Sequence, residues 1–470
     1  MTSAEIAYLF RHALLRDAAY QLQLPGDRAR LHGLAFAAIE DACGGRPAPL
    51  PPLDYVRAAA FAGHSTDAVA AELAGHARRA ASPGLLPAER LYLRRAGEVA
   101  EAAYRHGAAA EAWLAFAGVS GGMEQAEAIR RASIAANSDG RAKDAEALLL
   151  RAIDAFRRAG AALQEGVAHN NLAATLYETG RGAEAEAEYR LAIGLLRASG
   201  EKSVEAVCLN GLASLCAGLG RIEEAERLYR EALDLARAIG NSRVEGIILG
   251  NLANHLGATG RPSEGEAVIQ EAMVLHKRTG NRRFEGLALL NIGTFRQEGG
   301  RSQEAIEIFE SALAVFRETG DRRSAGATLA NFAAALFSCG DRDGARRHLE
   351  QALAIHREVG NRRSEALTLG NLAILDGLAG RPAAAEDLFR RALALHRDLG
   401  NRRYEGFTWC DYAVFLTSPR RIPQARAAWA SGVALLREVR DSGTLERKTE
   451  EMRKKCEQEG IERLDAEVES

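Results

Sequence analysis

Between residues 121 and 440, apolar residues recur at intervals of three and four, the spacing that gathers them on one face of a helix. In the stretch 281–320, Leu289, Ile292 and Gly293 share one stripe of the first helix. Arg283, Leu287, Asn291, Thr294 and Glu298 lie nearly opposite. Two ladders of glycine follow these amphipathic stretches. Gly160, Gly200, Gly240, Gly280, Gly320, Gly360 and Gly400 are spaced by 40 residues, and Gly140, Gly180, Gly220, Gly260, Gly300, Gly340 and Gly380 stand midway. A glycine there supplies the left-handed C-terminal cap that a Cβ resists. Every period therefore holds two helices and two turns. Pro262 and Pro382 follow mid-period turns, where the first turn of a helix tolerates proline. No insertion interrupts 121–440, which gives eight units.

The phase is repeated in other columns. Arg157, Arg197, Arg237, Lys277, Arg317, Arg357, Arg397 and Arg437 fall in the last turn of each second helix, where a cation balances the helix dipole. Leu172-Ala173-x-x-Leu176 is followed by Ala185-x-x-x-Tyr189-x-x-Ala192; Leu212, Ala213, Ala225, Tyr229 and Ala232 repeat the pattern, as do Ile292, Gly293, Ala305, Phe309 and Ala312. Tyr412, Ala413, Ala425 and Trp429 close the series. This alternation of small and large residues resembles the tetratricopeptide repeat. The period of 40, against about 34 in the ordinary repeat, is similar to the longer-helix variant of Pins-type adaptors. The resemblance implies an all-α fold, a right-handed superhelical solenoid of antiparallel helix pairs whose first helices line the concave surface.

On that implied inner surface two columns stand out. Asn171, Asn251, Asn291, Asn331 and Asn371 share one position, with Asp411 in the same place and Gly211 breaking the series. An amide offers an acceptor and two donors, enough to pair with an extended backbone. Arg243, Arg283, Arg323, Arg363 and Arg403 form a second column, suited to bidentate capture of carboxylates. Small residues beside them, Gly250, Ala330, Gly370, Ala334 and Ser214, leave room for a backbone to approach. These residues describe a groove for an extended, acidic protein segment. They also fit a second reading: each Asn bonds to the neighbouring repeat and fixes the stacking angle, while glutamates at Glu245, Glu285, Glu365 and Glu405 absorb the arginine charge.

Residues 1–120 do not follow the period. The run Phe10-Arg11-His12-Ala13-Leu14-Leu15-Arg16-Asp17-Ala18-Ala19-Tyr20, with Leu24-Pro25, Arg28, Arg30-Leu31-His32, Glu72-Leu73-Ala74 and Tyr92-Leu93-Arg94-Arg95-Ala96-Gly97, resembles the region after the nucleotide-binding core of STAND-type signalling ATPases. Those proteins are often joined to cyclases or protein kinases and carry tetratricopeptide arrays. The phosphate loop G-x-x-x-x-G-K-[ST] is missing, and Gly200-Glu201-Lys202-Ser203 falls on a repeat junction. Two expectations follow. The chain is the sensing and docking arm of a signalling system, or it is the regulatory part of an ATPase, adenylate cyclase or kinase whose catalytic domain lies elsewhere. Residues 44–52, Gly-Gly-Arg-Pro-Ala-Pro-Leu-Pro-Pro, read as a stiff loop or linker.

Composition narrows the classes. A formal charge of -2 draws the chain to neither nucleic acid nor anionic lipid. No apolar stretch is long enough to span a bilayer. The six cysteines, Cys43, Cys208, Cys216, Cys339, Cys410 and Cys456, contain no CxxC pair, which points to reduced thiols and a cytoplasmic protein. His276, His356 and His396 are in register, but packed helices stand ~8–10 Å apart and metal ligands only about 2 Å from their ion. They therefore read as packing residues, as does Phe316 in the same column. No catalytic, cofactor or metal site is expected. The charged stretch 441–470 reads as a polar capping helix and tail, and self-association through the solenoid edges is compatible with all of this.

Overall fold

The computed structural model describes residues 24–53, 61–418, 420–439 and 441–464. The run Phe10–Tyr20 lies outside the described residues, which are helical and contain no strand. The chain forms two compact units, Met1–Glu165 and Gly166–Ser470.

In the first unit the helices are Pro25–Ala42, Ala70–Arg79, Leu86–Ala102, His106–Gly118, Gly122–Ser138 and Ala142–Arg158. Phe36, Tyr92, Trp113 and Phe116 form its aromatic core. Trp113 lies flat against Gly97, where a Cβ would come within 2.7 Å of the indole, and donates Nε1–H to Glu101 at 2.8 Å. The segment Tyr92–Gly97 is therefore core of the helix Leu86–Ala102. Its Arg95 is 2% exposed, satisfied by Asp67 at 2.6 Å and by the Ala62 carbonyl at 2.9 Å.

The second unit is a stack of helix pairs, each an A helix followed by a B helix. Its A helices are Ala162–Glu178, whose first turn precedes the unit boundary, then Lys202–Gly218, Ser242–Ala258, Arg282–Glu298, Arg322–Ser338, Arg362–Leu378 and Arg402–Leu416. The B helices are Gly182–Ser199, Ile222–Ala238, Pro262–Arg278, Ser302–Thr319, Arg342–Glu358, Pro382–Asp398 and Ile422–Glu438, and a last helix, Ser442–Glu459, follows them. Both glycine ladders take φ between 63° and 88°, the left-handed cap. At most of these turns the residue after the glycine donates back into the helix, as from Arg221 N to Cys216 O at 2.9 Å.

Size matching joins the pairs. Gly246, Gly286 and Gly326 on A helices face His276, Phe316 and His356 on B helices, so that a Cβ on Gly286 would stand 2.7 Å from the Phe316 ring. Charge joins successive pairs on the outside. Arg197 reaches Glu205 at 2.6 Å and Arg237 reaches Glu245 at 2.8 Å, each also bonding the next B helix through Glu231 and Glu271. The basic column at the B-helix ends thus bridges units as well as balancing dipoles. Each exposed pair adds about 0–1 kcal/mol, so burial carries the stack.

Candidate functional site

Arg283, Leu287 and Asn291 stand at i, i+4 and i+8 on one ridge of their A helix. Repetition turns the ridge into three parallel rows: the arginines, the amides, and between them Val207, Ile247, Leu287, Ala327, Leu367 and Phe407, all partly exposed. The stack curls far enough for distant A helices to face one another. Tyr177 lies within Coulombic reach of Arg363, Arg403 and Tyr404, and Glu298 within reach of Arg447. The rows therefore line the inner curve of the stack, its lumen. Its partial desolvation raises the Tyr177 phenol and the Glu298 carboxyl above their ordinary ranges.

The amide row ties neighbouring A helices. Asn251 Nδ2 donates to Asn210 Oδ1 at 3.0 Å, and Asn331 Nδ2 to Thr294 Oγ1 at 3.1 Å. Asn171 and Asn291 are half-buried and Asn371 is exposed. Asp411 is 7% exposed and ion-paired with Lys448 of the last helix, so burial takes it out of the ligand-facing row. Truncating Asn331 removes a bond between units: Asn331→Ala is expected to lower stability by about 0.5–1.5 kcal/mol. Thermal unfolding of the full chain measures this, and an unchanged melting curve would refute the stacking role.

Cap identity divides the arginine row. Arg283 Nε donates at 2.8 Å to Asp321, the N-cap of the next A helix, and Arg403 pairs in the same way with Asp441. In the corresponding places beside Arg243, Arg323 and Arg363 stand neutral Asn281, Asn361 and Asn401. Arg363 lies over the Tyr404 ring at 5.0 Å, with Arg403 over the same ring at 5.8 Å and His396 stacked on it at 6.1 Å. The apolar row was signalled in the sequence by the recurrence of an apolar residue four positions before each amide; only Leu287 is evident from a single unit. Tyr177 and Tyr404 carried no local signal, because the curl of the stack brings them together.

The histidine column is buried against the A helices. Burial lowers His276 and takes His356 and His396 down to about 4, so they pack as neutral rings. Among the described residues no three His, Cys, Asp or Glu side chains gather as a metal cluster, and no helix is long and apolar enough to cross a membrane.

The sequence model of the tetratricopeptide-repeat family matches residues 164–238, 245–318 and 324–398. No curated protein matches the chain. Among solved structures, a Rap protein complexed with competence and sporulation factor is similar in fold, with a TM-score of 0.54 at 11% identity over 71% of this chain and 94% of that one. Weaker likenesses include aspartyl phosphate phosphatase F from Bacillus subtilis (TM-score 0.47, 12% identity, 73% and 91% covered). Another is a STAND protein with a tetratricopeptide repeat sensor from Pyrococcus horikoshii (TM-score 0.44, 13% identity, 75% and 56% covered). Family match, helix pairing and glycine caps agree: residues 164–398 of this chain are tetratricopeptide repeats, and the chain carries their α-helical solenoid fold.

Proposed function

We propose that the lumen of the second unit binds an extended, acidic protein segment and that the chain works as an interaction scaffold, the sensing and docking arm of a STAND-type signalling system. The observation that carries this is the partly exposed apolar row, Val207 to Phe407, held between cationic and amide rows. A solvated wall has no need of aligned apolar side chains; a ligand gains from covering them. The rows also suit an extended chain in their spacing. Most successive A helices touch, and the axes of packed helices lie ~8–10 Å apart. A polyproline-II segment advances about 9 Å per turn of three residues, which offers every third side chain to successive units. The Rap protein of similar fold, with its bound factor, is a precedent for a ligand on such a scaffold. The resemblance of residues 1–120 in sequence to the region following a STAND core supports the signalling context, and with it the alternative of a regulatory part whose catalytic domain lies elsewhere.

Photo-crosslinking tests the reading. A photoreactive residue placed at Leu287 or at Leu367 is expected to capture the same species from native cytosol, and Leu287→Asp to abolish capture from 367. A probe at the exposed B-helix residue Ser311 is expected to capture none of it. Equal capture from 311, or capture from 367 that ignores Leu287→Asp, refutes a lumenal site.

A further inference from the structure

Five arginines stand in one row, yet the structure does not commit them equally. An Asp at the next N-cap draws the guanidinium onto itself, as Asp321 does for Arg283 and Asp441 for Arg403. Where the cap is Asn the row lacks that counter-charge. Arg363 is such a case: the cap 38 residues on is Asn401, whose side chain makes no capping bond. Arg363 is exposed, and no ion pair holds it among the described residues. What does hold it is the face of Tyr404, at 5.0 Å. Stacking fixes the plane of a guanidinium and leaves its N–H edge open for an acceptor. Tyr177, 38% exposed with its hydroxyl beside Gly218 of the next A helix, lies within Coulombic reach and offers a further donor. A stacked cation without an acid, with a phenol within Coulombic reach, is an incomplete ion pair awaiting its anion.

We infer that Arg363, seated on Tyr404 and faced by Tyr177, is the anion subsite of the lumen and takes one carboxylate of the bound peptide. This deepens the groove reading and rests on it. The carboxylate is either the ligand's C-terminal group or an Asp or Glu side chain; both present the same planar pair of oxygens to a guanidinium. Arg283 and Arg403 are excluded as equivalents because Asp321 and Asp441 already fill that role.

The decisive variant leaves Arg363 in place. Asn401→Asp gives the next helix the cap that 321 and 441 already have, a residue type as good as Asn at that position. By the geometry of those two units it gives Arg363 a carboxylate of the chain's own, so that no charge is left for a ligand. Linear peptides are selected by display against the full chain, then synthesised with free or amidated C-termini and with each acid replaced by its amide. Affinities are measured on the native chain and on Asn401→Asp, Arg363→Ala and Leu287→Asp. Neutralising one carboxylate is expected to weaken native binding by about tenfold or more and to have no further effect in Asn401→Asp or Arg363→Ala. Sensitivity to amidation assigns the terminal group, and sensitivity to a side-chain replacement assigns that acid. Peptides that Leu287→Asp releases but that ignore both Asn401→Asp and Arg363→Ala overturn the subsite while the groove stands. Peptides indifferent to all three variants, or a selection that yields none, sink the groove and the subsite together.

Discussion

Phe309→Ala is expected to destabilise the array by about 3–5 kcal/mol, the range for removing a fully buried aromatic ring from a core that relaxes only in part. Phe309 is 0% exposed. Its ring rests on Gly293 of its own pair, where a Cβ would come within 2.6 Å, and meets Phe332 of the next A helix at 6.2 Å between ring centroids. Phe332 in turn meets His348, tilted, at 4.5 Å between ring centroids. One side chain therefore closes its own pair and docks the following one. Because a solenoid's stability is a sum of unit and nearest-neighbour terms, the loss should stay local. Amide hydrogen exchange of the variant should show lost protection across 282–358, while 202–238 and 402–438 keep theirs. Uniform loss along the stack, or a penalty below about 1 kcal/mol, would contradict the central place given to this ring.

Local chemistry is what made the array legible in the sequence. A cap glycine is dictated by backbone sterics at one residue, so the positions of both glycine ladders translated directly into left-handed turns. The alternation of Ala and large residues, as in Ala225, Tyr229 and Ala232, gave the packing phase because it depends only on neighbours within a helix pair. The inner face was legible as columns but not as contacts. Asn331 and Asn371 look alike in sequence; one bonds Thr294 and the other is exposed. Arg283 and Arg363 look alike too, and what separates them is the charge of a residue 38 positions on, Asp321 in one case and Asn401 in the other. That rule can be read from sequence once the geometry is known, but not before. Tyr177 facing Arg363 lay beyond reach altogether: small rotations summed over successive pairs bring them together, and no single repeat encodes the sum.

Asp411 shows the limit of a column argument most plainly, and it yields the second large effect. It stands where other units have Asn, a position that in the sequence marks a ligand contact. Lys448 of the last helix covers it. The lysine is 5% exposed, its ammonium also 2.8 Å from Glu451 and 4.3 Å from the Phe407 ring centroid. Burial pushes the Asp411 carboxyl up to about 6, with Lys448 opposing the rise. Replacing only the cation leaves a buried charge without its partner, which typically costs about 3–5 kcal/mol. Lys448→Thr is expected to fall in that range at neutral pH. In this variant the folded state holds Asp411 above the ordinary aspartate value with no lysine to oppose it. The folded chain then binds more protons than the unfolded one, and stability falls as pH rises from that ordinary value through the folded one. The penalty at about pH 5 should therefore be smaller than at about pH 8. The repeat itself supplies the rescue. Forty residues earlier the same two places hold Asn371 and Thr408, a neutral pair that the stack accommodates. The double variant Asp411→Asn with Lys448→Thr should recover most of the loss and its pH dependence should vanish, because the group that titrates is gone. A double variant as unstable as the single one, or a single variant whose penalty does not change with pH, would mean that Lys448 acts through its packing on Phe407 and not through the charge of Asp411.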